Sequence, residues 1–199
     1  MSRTAVTVGP QDHGRAMSLE DFDRAEAREG HLYELSRGII TVSDVPGKKH
    51  LRQVHALNKQ LYVYVAANPE VVRMIGGCGE CKILVPPYES ERHPDVAVYR
   101  TDPPDTQDIW SIWVPEIVVE VVSAGSEQRD YEEKPAEYLA FGVTEYWVVD
   151  AEKQQFTLMQ RSGGRWLSRT LAPTDTHKPR PLPGFELQLA PVFAAAREG

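Results

Sequence analysis

The chain has 199 residues, 41% hydrophobic and 26% charged, a composition that suits one globular domain able to bury its own core. Its formal net charge of −7 excludes a general nucleic-acid coating protein, since phosphate binding needs neutralising cations, but leaves room for a nuclease whose cations cluster locally. No apolar run nears the roughly 20 residues that cross a bilayer, so no membrane partner is expected, and two cysteines make no disulfide framework, which fits a reducing, cytoplasmic setting.

Residues 1–16 are polar, lack the apolar stretch of a secretory leader, and read as a flexible N-terminal arm ahead of a single domain over 17–199. Ser18 before Leu19, Glu20 and Asp21 has the form of an N-cap with an acidic first turn. Leu19, Phe22 and Ala25 or Ala27 carry that helix toward Gly30. His31 to Leu35 and Ile39 to Val42 then flank a turn at Ser36-Arg37-Gly38, which predicts a β-hairpin. After Val45-Pro46-Gly47, Leu51, Val54, Leu61 and Val65 recur at helical spacing and predict a helix over about 49–66. Its start carries Lys48, Lys49, His50 and Arg52, which form either a solvated helix face or a nucleic-acid-binding patch helped by the helix N-terminal N–H groups.

Short strands are expected over 71–75 and 82–85, joined through Gly76-Gly77-Cys78-Gly79-Glu80-Cys81. A structural zinc needs four ligands and a redox Cys pair opens a helix, so the glycines favour a plain turn. Two β-branched runs with embedded carboxylates follow, 94–98 and 115–123. Strand alternation puts Glu116, Val118, Glu120 and Val122 on one face, where an ionised carboxylate is costly unless paired or bound to a cation. Asp95 opens the neighbouring strand, and the two acids make a hard-oxygen site for Mg²⁺ or Mn²⁺. Asp95 could instead cap a turn after Pro94. A helix over about 129–141 closes at Gly142, its start drawn toward Glu132 or Glu133 by Pro135. The strand 145–150 completes a crossover if it runs parallel to 115–123. A hairpin turns at Ser162-Gly163-Gly164, and an extended proline stretch over 179–183 leads to the segment 185–189 and a short apolar end over 192–196.

In order, Tyr33-Glu34-Leu35 with Gly38, His50 after a Pro-Gly turn, Pro94-Asp95, the run Pro115 to Ser123, and Arg129-Asp130 with Lys134 and Tyr138 form a series. Gly142-Val143, Glu145 to Asp150 and Leu182-Pro183-Gly184-Phe185 continue it. The series resembles the Uma-type restriction endonuclease family, within the PD-(D/E)xK nuclease superfamily, from Met17 onward. That resemblance implies an α/β restriction endonuclease-like core: a mixed central sheet flanked by helices, with extra hairpins. It also implies a Mg-dependent endodeoxyribonuclease that hydrolyses DNA phosphodiester bonds through metal-activated water, working as a homodimer.

The superfamily pattern makes Asp95 and Glu120 the metal-binding catalytic acids and expects a lysine two residues after the second, a place held here by Val122. Lys134 in the following helix is then the substitute catalytic cation, unless it only pairs with Glu132, Glu133 and Glu137 as a solvated residue. Glu34 and Glu116 stand behind the two acids as supporting carboxylates, and Lys48, Lys49, His50 and Arg52 would hold the nucleic-acid backbone. Two alternatives stay open. One is a catalytically inactive nuclease-fold module that binds nucleic acid or a protein, which Val122 and the acidity favour. The other is a Mg-dependent hydrolase of RNA or nucleotides.

Overall fold

The structure, a computed structural model, describes residues 6–77 and 79–197. A short strand β1 (Thr7–Val8) precedes helix α1 (Leu19–Asp23), strand β2 (Glu26–Ala27) and the hairpin β3 (His31–Ser36) and β4 (Ile39–Asp44). The long helix α2 (Lys48–Ala67) leads to β5 (Met74–Gly76), β6 (Ile83–Val85), β7 (Ser90–Arg92), β8 (Val96–Tyr99) and the central strand β9 (Ile117–Val121). A π-helical turn, Arg129–Glu133, runs into α3 (Lys134–Phe141), then β10 (Glu145–Asp150) and the hairpin β11 (Gln155–Ser162) and β12 (Arg165–Leu171). The short pair β13 (Thr176–His177) and β14 (Leu187–Gln188) and helix α4 (Leu189–Ala195) end the described chain.

The main sheet has the order β12-β11-β10-β9-β8-β5, with β9 and β10 parallel and the other neighbours antiparallel. The β9–α3–β10 unit is the expected crossover. Every residue of β8, β9 and β10 is buried, because both faces of the sheet are covered. On one face Val119, Val121 and Trp147 pack under α2 and α4 through Leu57, Leu61 and Phe193. On the other, Val118, Tyr146 and Val148 meet Tyr138 of α3 and Ile83 and Val85 of β6. Each such side chain contributes roughly 1.5–3 kcal/mol by leaving water. A second sheet, β4-β3-β7-β6, carries Glu34 and Arg92 toward α3.

Local chemistry explains several boundaries. Ser18 Oγ accepts from the Asp21 N–H and caps α1. Arg37 and Gly38 have φ of 52° and 77°, as a two-residue hairpin turn between β3 and β4 requires. Other expectations need correction. Residues 6–16, expected to belong to a flexible arm, are packed: β1 pairs with β2, Val8 is buried and Ala16 bridges Ile39. Residues 1–5 of that arm lie outside the described residues. The helix α1 stops at Asp23, not near Gly30, because Glu26 and Ala27 are drawn into pairing with β1. The apolar C-terminal end forms α4, which packs on α2 and the sheet. Among the described residues no helix is long and apolar enough to cross a membrane.

Two buried polar networks fasten the outer elements. Arg92 of β7, 0% exposed, donates from Nε to Glu137 Oε2 at 2.7 Å and from Nη2 to Glu137 Oε1 at 2.9 Å and Ser36 Oγ at 2.8 Å. Burial opposes its charge, but Glu137 and Glu34 hold it above the ordinary arginine value. The second sheet is thereby locked to the inner face of α3. At the far end of the main sheet Glu145 accepts from Trp147 Nε1 at 2.9 Å, Gln160 Nε2 at 2.8 Å and the Arg180 N–H at 2.9 Å. His177 Nε2 stands 2.9 Å from the same carboxylate, so the C-terminal segment is moored to β10.

Replacing Arg92 by Gln strands the buried Glu137 carboxylate and should destabilise the fold by about 3–5 kcal/mol in urea unfolding. Burial works against ionised Glu145, yet its hydrogen bonds lower its carboxyl below the ordinary 4.5. The unfolded chain therefore takes up its proton first on acidification. The stability Glu145 contributes is complete above about pH 4.5 and is lost as pH falls through its depressed folded value. Glu145→Gln should flatten that acid limb when melting temperatures are compared from about pH 3 to pH 7.

Candidate active site

The register of β8 against β9 pairs Val96 with Val119 and Ala97 with Val118. One step further sets Asp95 opposite Glu120 on the α3 face of the sheet, since directly opposed residues share a face. Asp95 Oδ2 accepts the Val121 N–H at 2.7 Å, continuing the ladder with a side chain, and His50 Nε2 stands 2.9 Å from the same oxygen. Gly77 passes so close behind that a Cβ there would lie 2.4 Å from the Asp95 carbonyl oxygen. The glycine turn thus has a purpose that its spacing did not reveal. Glu120, 4% exposed, accepts from Tyr138 Oη at 2.6 Å through Oε1, while Lys134 Nζ lies 3.0 Å from Oε2.

Lys134 reaches the strand because of Pro135. A proline has no N–H for the preceding turn, so the helix opens wide there and the Lys134 N–H bonds the Arg129 carbonyl in π fashion. Lys134 Nζ also lies 2.9 Å from Asp130 Oδ1 and 3.8 Å from Glu34 Oε1. Asp130 is itself fixed by Ser126 Oγ, which donates to it at 2.6 Å. Burial disfavours the ammonium, but Asp130, Glu120 and Glu34 hold it above the usual lysine value.

Two of the acids around Lys134 are driven apart. Burial pushes the Glu120 carboxyl up to about 8; Lys134 pulls the other way, and Asp130, Asp95 and Glu34 add to the rise. Burial also opposes ionised Glu34, but Lys134, Arg92 and the His93 N–H outweigh it and bring its carboxyl down to about 2. The two carboxyls are moved in opposite directions, Glu34 toward its ionised form and Glu120 toward its protonated form, the separation expected where acids with different tasks share a cleft.

These groups line a cleft of about 820 Å³ in which Glu34, His50, Asp95, Glu120, Arg129 and Lys134 meet. The cleft thus unites four residues singled out from the sequence: Asp95, Glu120, Lys134 and Glu34. His50 joins them, but as a buried neighbour of Asp95 and not as part of an exposed patch. Glu116 does not: its carboxylate accepts from Thr144 Oγ1 at 2.7 Å, at the other end of β9. Lys48, Lys49 and Arg52 are exposed outside the cleft; Lys49 pairs with Glu152, and Arg52 faces a groove between α2 and α4. Val122, where a lysine was expected, packs with Tyr131 against the core beneath α3.

Asp130 and Arg129, which the sequence points to only as part of the family series and not as site residues, belong to the cleft, and Asp130 is 2% exposed. A signal was present: Ser126, Asp130, Lys134 and Tyr138 recur every fourth residue, a polar stripe on one side of the turn and helix. Of the Cys-Gly-Glu-Cys motif, Cys78 lies outside the described residues. Cys81 is a free buried thiol that burial pushes up to about 12, so it is no thiolate at neutral pH. Among the described residues no three His, Cys, Asp or Glu side chains are grouped to hold a metal by themselves. Two carboxylates in a cleft where acids outnumber cations nevertheless suit a hard cation that keeps water ligands, as magnesium does.

The Uma2 family, described as "Putative restriction endonuclease", matches residues 19–190. A solved structure from Anabaena variabilis, described as "a putative nuclease belonging to DUF820", superimposes with a TM-score of 0.74. It covers 90% of this chain and 99% of its own at 16% sequence identity, a likeness of fold. No curated protein matches. Since the family match runs from the start of α1 into α4, the chain belongs to the Uma2 family of restriction endonuclease-like proteins.

Proposed function

We propose that the protein is a metal-dependent endonuclease that hydrolyses DNA phosphodiester bonds in this cleft. The observation that carries the proposal is the 3.0 Å approach of Lys134 to Glu120, which assembles two acids and a lysine although Val122 fills the usual lysine place. Asp95 and Glu120 would hold Mg²⁺ or Mn²⁺. Such a cation, when bound, supplies neutralising charge at the scissile phosphate and acidifies water.

The chain's own groups divide the remaining work. Asp95 is held in place by the Val121 N–H and His50, so it presents its carboxylate without searching rotamers. Tyr138 fixes one oxygen of Glu120. Glu120 must shed its proton to take a cation, so cation affinity should rise with pH toward and beyond about 8. Lys134, held protonated, is suited to stabilise charge developing on the phosphate and unsuited to accept a proton. Cutting both strands of a duplex calls for a second cleft, and a homodimer is part of the proposal.

One observation favours a second reading. Lys134 and Tyr138 already occupy both oxygens of Glu120, as a module that binds without cutting would allow.

Glu120→Gln should abolish Mg²⁺- or Mn²⁺-dependent cleavage of labelled duplex DNA with the circular dichroism spectrum unchanged, and Lys134→Gln should slow it by about 10²–10³-fold. Undiminished cleavage by Glu120→Gln would overturn the assignment. Calorimetric titration of the unsubstituted protein with Mn²⁺ separates the two readings, because a site closed by its own residues gives no binding heat. A parallel RNA substrate tests for an RNA hydrolase.

A further inference from the structure

The cations of the cleft are unequal. Lys134 is 4% exposed and has three carboxylates within 3.8 Å, so its charge is committed inside the protein. Arg129, one π turn earlier, also faces the cleft but is held far more loosely. Its side chain is 20% exposed, and Nε lies 4.0 Å from Glu34 Oε2, beyond hydrogen-bond reach. That Nε is buried and has no hydrogen-bond partner among the described residues. A buried N–H left unmatched carries a free-energy penalty unless something outside the protein takes it up.

The surroundings define what that something is. Glu34, Asp95 and Asp130 face the same space and repel an anion, so an entering phosphodiester needs a cation that is not already spent. A guanidinium presents a planar fork of donors that matches phosphate oxygens, which a lysine ammonium does not. The exposed cations at the start of α2 lie outside the cleft and cannot serve there. The wide turn imposed by Pro135 brings Arg129 and Lys134 together beside Glu34, at 4.0 Å and 3.8 Å from its two oxygens.

We propose that Arg129 is the phosphate-binding residue of the cleft, donating to a non-bridging oxygen of the bound substrate's phosphodiester, while Lys134, paired with the protein's own acids as substrate binds, acts only on charge that develops during the reaction. This rests on the nuclease reading given above. The role belongs to binding and positioning of the phosphate, and no bond is made or broken by Arg129 itself.

Fluorescence anisotropy of labelled duplex DNA, single-stranded DNA and RNA tests it. The full chain carries Glu120→Gln so that binding is read without cleavage, and salt is varied. Arg129→Gln should weaken binding about tenfold, equally across sequences, and reduce the slope of log K against log salt on duplex DNA by about 0.9, the mark of one lost phosphate contact. Arg129→Lys should bind more weakly than the parent while keeping its slope, and it carries the test if Arg129→Gln misfolds. The arm bound most tightly identifies the nucleic acid. Parent-like affinity and slope in Arg129→Gln, or parent-like affinity in Arg129→Lys, overturn the role of Arg129 while the nuclease reading stands. If the parent and the unsubstituted protein bind none of the three and nothing is cleaved, both readings fall.

Discussion

The buried ammonium of Lys134 is the constraint on which the site depends. Glu34 comes from β3, Glu120 from β9 and Asp130 from the π turn, and all three carboxylates converge on one cation. Without it the acids would repel one another in a medium that screens poorly; without any one of them the cation would be less well matched. The second sheet, the central strand and the crossover helix must therefore be placed together. Arg92 reinforces the same arrangement one turn along α3, by clamping Glu137 and standing 3.6 Å from Glu34. Neither pairing is strong evidence of high stability, since desolvation offsets much of the attraction. What they define is geometry.

That geometry yields a cleft in which acids outnumber cations before any ligand enters. Glu34 is ionised beside Lys134 and Arg92, whereas Glu120 is pushed toward its protonated form by burial and by its acidic neighbours. A divalent cation arriving at Asp95 and Glu120 competes with a proton and with the attraction of Lys134. The cleft is thus selective by its own electrostatics, admitting positive charge more readily than negative.

Much of the site was legible because it obeys the two simplest periodicities. Period-two alternation put Glu120 on the polar face of an otherwise apolar strand, and adjacency put Asp95 next to it. Val122 leaves the expected lysine place empty of charge, and Lys134 of the following helix stands beside Glu120 instead. Other features were hidden for physical reasons. His50 lies on the same helical stripe as Gln53, Leu57, Leu61 and Tyr64, all buried, but it sits among Lys48, Lys49 and Arg52 and was counted with the charges. Arg129 and Asp130 stand beside Glu132 and Glu133, and only the wide turn before Pro135 rotates them inward. The packing of Val8 and the early end of α1 depend on a pairing between β1 and β2 that no local pattern encodes. Glu116 shares a face with Glu120 but lies two pleats away, just before β9, too far to reach the cleft.

The hydrogen bond from Val121 to Asp95 has a mechanical consequence. It makes one wall of the cleft an extension of the β8–β9 ladder, with Gly77 pressed against its back, so that wall can yield only by unzipping strands. The facing wall is a π turn, whose wide hydrogen-bonding pattern is one residue's register away from an ordinary helix. The cleft is built like a vice, with one fixed jaw in the β8–β9 ladder and one adjustable jaw in the π turn.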